Sequence, residues 1–166
     1  MADFDLVIRG GKIATASDTF HADIGIKDGK IAALANNLAK GSVELDAKGK
    51  IVAPGGIDAH CHLDQPMTDG TVMADGFESG TKSAAFGGTT TIIPFACQMR
   101  GHTLRDAVQD YHSRSDGKAY IDYAFHLIVS DISGSVANQE LPALIDDGYT
   151  SFKIYMTYDD SDGFVS

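Results

Sequence analysis

Two histidines, His60 and His62, close the short apolar run Gly55-Gly56-Ile57-Asp58-Ala59-His60. In an extended strand residues i and i+2 share a face, so both imidazoles project together, as a metal-binding pair would. Neutral imidazole is a good ligand for zinc and similar divalent ions. The plain alternative is a chance pair of surface or core histidines. Position favours the metal reading, because sites in α/β sheets and barrels form at the carboxyl ends of strands. Asp64 and Gln65 follow in the loop, Asp58 precedes the pair as a supporting group rather than a ligand, and Cys61 has the opposite parity and should point away.

The second chemical feature is Lys153, an ammonium inside Ser151-Phe152-Lys153-Ile154-Tyr155-Met156. One parity of that run is Ser151, Lys153, Tyr155 and Thr157, and the other is Phe152, Ile154 and Met156. If the apolar set packs against helices, the lysine faces the interior. Burial lowers a lysine pKa and makes the amine nucleophilic unless an unseen carboxylate neutralises it. A neutral amine can capture carbon dioxide as an anionic carbamate, whose two oxygens can bridge two metal ions. Two metals about 3.5–4 Å apart would share one hydroxide and polarise a carbonyl.

The elements that would position these groups fall into two parts. Residues 1–53 read as all-β, a small sheet or half of a β-sandwich. Phe4 to Ile8 is a strand, Gly10-Gly11 follows, and Lys12-Ile13-Ala14 resumes. Asp28-Gly29 is a hairpin turn between Asp23–Lys27 and Lys30–Leu34. Residues 54–166 alternate strand and helix as βαβαβαβ, implying a parallel sheet with right-handed crossovers. The strands are Ile57 to His62, Thr89 to Phe95, Tyr123 to Val129, and Thr150 to Thr157. Asp75, three residues before Glu78, reads as the N-cap of the first helix, which ends at Gly87-Gly88. The second helix starts after Thr103, with Leu104, Ala107, Val108 and Tyr111 on one face. The third presents Leu141, Leu144 and Ile145. An open doubly wound sheet and a (β/α) barrel both fit, and four strands make half of an eight-stranded barrel.

Bulk properties narrow the function. A formal charge of -10 argues against nucleic acid or an anionic membrane as partner. Cys61 and Cys97 form no disulfide framework. No signal peptide or spanning segment is visible, so a cytoplasmic protein is expected.

The motifs carry a specific resemblance. Ala53-Pro54-Gly55-Gly56-Ile57-Asp58-Ala59-His60-Cys61-His62-Leu63-Asp64-Gln65-Pro66 resembles the first metal motif of the hydantoinase/dihydropyrimidinase family of the amidohydrolase superfamily. Gly70-Thr71-Val72 through Asp75 and Ala84-Ala85-Phe86-Gly87-Gly88-Thr89-Thr90 continue it. Ser151 to Tyr158 resembles the family's carboxylated-lysine strand. The likeness runs from about residue 4 to 158 and covers the N-terminal third or so of a typical member.

It implies an α/β fold: the N-terminal part of a (β/α)8 TIM-like barrel, preceded by part of a small β-sandwich. It also implies two divalent metal ions, Zn2+, with His60 and His62 holding the more buried one and carboxylated Lys153 bridging the pair. The reaction implied is hydrolytic opening of a small cyclic amide, a hydantoin or dihydropyrimidine, to an N-carbamoyl amino acid. Tyr158 matches the tyrosine that contacts substrate and stabilises the oxyanion. Tyr155 and residues 64 to about 75 become substrate-contact candidates.

The resemblance requires two more histidines and a catalytic aspartate from later strands, so these 166 residues are not expected to catalyse alone. Half a barrel should also expose a strand edge and associate, and the complete enzyme should be a homo-oligomer. The alternatives are an allantoinase- or dihydroorotase-like enzyme and a non-catalytic dihydropyrimidinase-like scaffold. Dihydroorotase-like chains carry an arginine for a substrate carboxylate where Asp64 stands. Retention of both histidines, Lys153 and Tyr158 argues against the scaffold. His126 reads as a satisfied core residue, His102 and Asp131 as loop residues near the strand ends, and His21 and His112 as surface residues.

Overall fold

The structure, a computed structural model, describes residues 3–67 and 71–156. It divides into two compact units, Met1–Pro54 and Gly55–Ser166.

The first unit is one mixed five-stranded sheet. Strands β1 (Phe4–Ala14), β2 (Thr19–Lys27), β3 (Lys30–Ala35) and β4 (Gly41–Asp46) lie in the order β3-β2-β1-β4, and β5 (Ile51–Val52) also pairs with β1. β2 is antiparallel to β1 and β3, while β4 and β5 run parallel to β1. Asp28 and Gly29 both have positive φ, +50° and +71°, as the expected hairpin turn requires. The glycines do not split β1 in two. The strand runs through them, and its register against β2 shifts between Ile8 and Gly11. Gly10 takes a left-handed φ of +66° there, and its N–H donates to Asp23 Oδ1. Ile13, Ala22 and Ile24 form the small core, flanked by Ile8, Phe20, Ile26 and Val52. Among the described residues of this unit there is one sheet layer, and Ile31 of its apolar face is 66% exposed.

The second unit contains β6 (Gly56–Cys61), α1 (Phe77–Phe86), β7 (Thr89–Cys97), α2 (Leu104–Ser115), β8 (Asp122–Tyr123), β9 (His126–Ile128), α3 (Leu141–Asp146) and β10 (Phe152–Lys153). A π-helical turn, Val136–Glu140, leads into α3. The sheet is parallel with the order β6-β7-β9-β10. That order follows the chain without reversal, as in a half-barrel, whereas a doubly wound sheet reverses at a switch point.

The third expected strand is broken into β8 and β9. Tyr123 pairs with Ile92 and His126 with Phe95, the same offset, so the register does not slip. The interruption lies opposite Pro94, which has no N–H to give the ladder. Leu104, Val108 and Tyr111 of α2, Phe77 of α1 and Leu144 of α3 pack on β7 and β9 in one core. Ile145 does not join them and is 47% exposed.

The caps also differ from expectation at one helix. α2 has the full capping box: Asp106 N–H donates to Thr103 Oγ1, and Thr103 N–H to Asp106 Oδ2. α1 has no box at Asp75 and Glu78. Its N-cap is Gly76, and Asp64 reaches back from the preceding loop to accept from Phe77 N–H at 2.8 Å. Gly76 makes room for this, since a Cβ there would lie 2.8 Å from Asp64 Oδ2.

Candidate metal centre at the strand ends

Phe95, near the carboxyl end of β7, is the hub of the site. The His60 and His62 rings lie 4.7 and 5.0 Å from its ring, centroid to centroid. His126 lies 4.9 Å away on the same measure. Lys153 Nζ stands 4.3 Å above the Phe95 ring and 4.9 Å from that of Tyr155. The strand order thus brings the His pair and the lysine, far apart in sequence, around one aromatic side chain. Ala59, His60, His126, Ser151 and Lys153 line the shallow hollow beside it.

The His pair has the separation a shared ion needs. Its ring centroids are 5.4 Å apart. Two imidazoles bound tetrahedrally at a metal–nitrogen distance of about 2.0–2.1 Å would have centroids roughly 5 Å apart. His62 Nδ1 hydrogen-bonds Gln65 Oε1. An amide oxygen only accepts, so the proton sits on Nδ1 and the Nε2 lone pair is left to face a metal. Asp58 accepts the His60 backbone N–H at 3.0 Å, which fixes the main chain at the first candidate ligand. Cys61 turns the other way and packs against the core, where burial, reinforced by the nearby Asp58 charge, pushes its thiol up to about 11.

Lys153 is half-buried, and among the described residues no carboxylate pairs with it. Its parity is the covered one, but not for the expected reason. Phe152, Ile154 and Met156 were to pack against helices; instead they are 36%, 60% and 83% exposed, since no described helix lies over that face. Phe95 and Tyr155 cover the lysine face.

The remaining expectations divide. His102 is exposed, and its carbonyl accepts from Gln98 Nε2. Asp131 holds the same loop, accepting Gly101 N–H. His112 is not a plain surface residue: it is half-buried against Phe125, and its Nε2 lies 2.8 Å from Tyr149 Oη. Helical spacing puts it on the flank of the buried α2 face, beside Tyr111. His21 is exposed. Tyr158 lies outside the described residues.

No protein-family model matches the chain. Individual relatives match it strongly. It is 51% identical over 156 residues to D-hydantoinase of Geobacillus stearothermophilus, a match covering 93% of this chain and 33% of that protein. It is 38% identical over 161 residues to dihydropyrimidinase of Rattus norvegicus, covering 93% and 31%. A crystal structure of a D-hydantoinase superposes with a TM-score of 0.90 at 48% identity, over 96% of this chain and 34% of that one. The chain is homologous to the N-terminal portion of the D-hydantoinases and dihydropyrimidinases. It spans about a third of the length of the curated relatives it matches.

Homology of this extent agrees with the motif resemblance and with the half-barrel. Among the described residues, no three or more His, Cys, Asp or Glu side chains come together as a metal cage, and no helix is long and apolar enough to cross a membrane. Sequence reasoning missed Phe95, Gln65 as the partner of His62, and Gln98, whose amide ties the ends of β7 and β9. Phe95 was hidden in an apolar strand, and Gln98 follows that strand with no motif to mark it. Gln65, three residues from His62 in a loop, was the one within reach of a spacing argument.

Proposed function

We propose that the chain forms the N-terminal part of a metal-dependent cyclic amidase that hydrolyses hydantoins or dihydropyrimidines to N-carbamoyl amino acids. The observation that carries this is the convergence of His60, His62 and Lys153 on Phe95 at the strand ends. Residues 1–53 are the beginning of a β-sandwich and residues 54–166 the first half of a (β/α)8 barrel.

His60 and His62 would hold one divalent ion, with Zn2+ suited to a paired-imidazole site. The Lys153 amine would add to carbon dioxide and release a proton, giving a carbamate with an oxygen for each of two ions. When bound, such a metal pair supplies hydroxide at neutral pH and polarises the amide carbonyl. The chain's own groups then orient and exclude water. Phe95 walls the His pair and Lys153 on one side, and Gln65 holds the His62 tautomer. Tyr158 is proposed to hydrogen-bond the substrate and stabilise the oxyanion, and Tyr155 to line the substrate beside Lys153. The general base and the remaining ligands are not among the described residues, so the described set binds metal without completing the reaction.

Asp64 favours an uncharged ring over a carboxylated one. Its carboxylate is engaged at the N-terminus of α1, at the position where a carboxylate-binding arginine would stand in a dihydroorotase-like chain.

Titration with Co2+, followed by its visible spectrum, tests the reading. The chain should bind Co2+, His60→Ala or His62→Ala should abolish binding, and bicarbonate should strengthen it only while Lys153 is present. Binding that survives loss of both histidines would refute the site.

A further inference from the structure

His126 makes two hydrogen bonds that no motif announces. Its Nε2 lies 2.9 Å from the Ala59 carbonyl, and its Nδ1 lies 2.6 Å from Ser151 Oγ. A carbonyl can only accept, so the proton is on Nε2, and Nδ1 accepts the Ser151 hydroxyl proton. Both nitrogens of a neutral imidazole are thereby satisfied, which leaves no lone pair for a metal.

The partners are placed to matter. Ala59 directly precedes His60. Ser151 is two residues before Lys153, on the same parity. His126 sits on β9, and β7 separates β9 from β6 in the sheet. One side chain therefore links the strand carrying the His pair to the segment leading into the lysine strand, across the inner face of the sheet.

The link falls at an irregularity in the backbone of β6. Asp58 pairs with Ile92 and Cys61 with Pro94, so β6 spends three steps where β7 spends two. Ala59 and His60 form the resulting bulge and have no partners in the ladder. Pro94 has no N–H to offer them. The Ala59 carbonyl turns instead to His126. Bulges re-aim side chains and disrupt the local ladder, and here the carbonyl that His126 bonds belongs to the peptide bond leading into the first proposed ligand.

We propose that His126 is a positioning residue. Its Nε2–H···Ala59 and Ser151···Nδ1 bonds hold the bulged His60 main chain and the Lys153 segment in register with each other. This rests on the reading of His60, His62 and Lys153 as ligands.

The test combines a tautomer measurement with metal binding on the full chain. Long-range proton–nitrogen NMR should show His126 as the neutral Nε2–H tautomer; an Nδ1–H tautomer overturns the proposal. His126→Leu should weaken Co2+ binding about tenfold or more, the usual effect of losing a group that orients a ligand. His126→Gln, which can still donate to Ala59, should recover most of that loss. Ser151→Ala, which deletes only one bond, should weaken binding by less and guards against a His126→Leu chain that fails to fold. Wild-type Co2+ affinity in both His126→Leu and Ser151→Ala would overturn the positioning role while leaving the metal site intact. No Co2+ binding by the wild-type chain would overturn the metal reading and this role together.

Discussion

Replacing Gln98 with leucine removes hydrogen bonds to four main-chain groups at the end of the sheet where the site lies. Gln98 is 1% exposed. Its Nε2 donates to the carbonyls of His102 at 2.9 Å and Asp131 at 3.4 Å. Its Oε1 accepts the N–H groups of Ser130 at 2.9 Å and Asp131 at 3.1 Å. Leucine fills a similar volume but satisfies none of them. Ser130 is 2% exposed, so its N–H cannot turn to water, and an orphaned buried donor costs about 1–3 kcal/mol. The His102 and Asp131 groups lie nearer solvent and lose about 0.5–1 kcal/mol each. Better burial of the apolar side chain offsets about 1 kcal/mol. The net loss is about 1.5–5 kcal/mol, a fall in Tm of at least roughly 6 °C at the scale of a domain of about a hundred residues. Thermal unfolding followed by circular dichroism reads the fall, and hydrogen exchange at Ser130 and Asp131 localises it. A Tm within about 3 °C of wild type, with the Ser130 amide still protected, would show that Gln98 does not staple the β7 and β9 ends.

Asp64 combines a cap with a left-handed φ of +49°. Asp64→Ala should cost about 2 kcal/mol, about half from the lost cap and half from the backbone, whereas Asp64→Gly should cost only the cap and Asp64→Asn little, all measured by urea unfolding. Asp23 is held below the usual carboxylate range: burial pushes it up, but the Gly10 N–H, Arg9 and the Leu38 N–H together pull it further down. Its folded pKa then lies below its unfolded value of about 3.9, so its stabilisation is full above that pH and is lost as pH falls through the folded value. Unfolding of the first unit should therefore depend less on pH between about 5 and 3 in Asp23→Asn than in wild type, and equal slopes would remove Asp23 as a cause. With the Cys61 thiol raised to about 11, its thiolate fraction at pH 8 is roughly two-hundredfold below that of free cysteine, of which greater basicity returns about tenfold in nucleophilicity. Iodoacetamide should therefore label Cys61 at least about tenfold more slowly than free cysteine, and labelling at the free-cysteine rate would mean that the thiol does not face the core.

The residues by themselves determined the candidate ligand types, their expected strand parity and the βα alternation. These depend on local geometry: a two-residue repeat in strands, a three-to-four-residue repeat in helices, and turn chemistry such as Asp28-Gly29. Local patterns could also place Cys61 away from the His pair, because parity alone decides it. They could not say that the sheet follows the chain order without reversal, since crossovers to either face leave the same sequence pattern. Nor could they show that Pro94 interrupts the ladder to the third strand, or that Asp64 caps α1 in place of Asp75. A hydrogen-bond donor is chosen by which acceptors arrive beside it, and Asp64, His126 and Gln98 find their partners in other parts of the chain. Only the tertiary structure brought His60, His62 and Lys153 around Phe95, because strand order, not sequence distance, decides which side chains become neighbours.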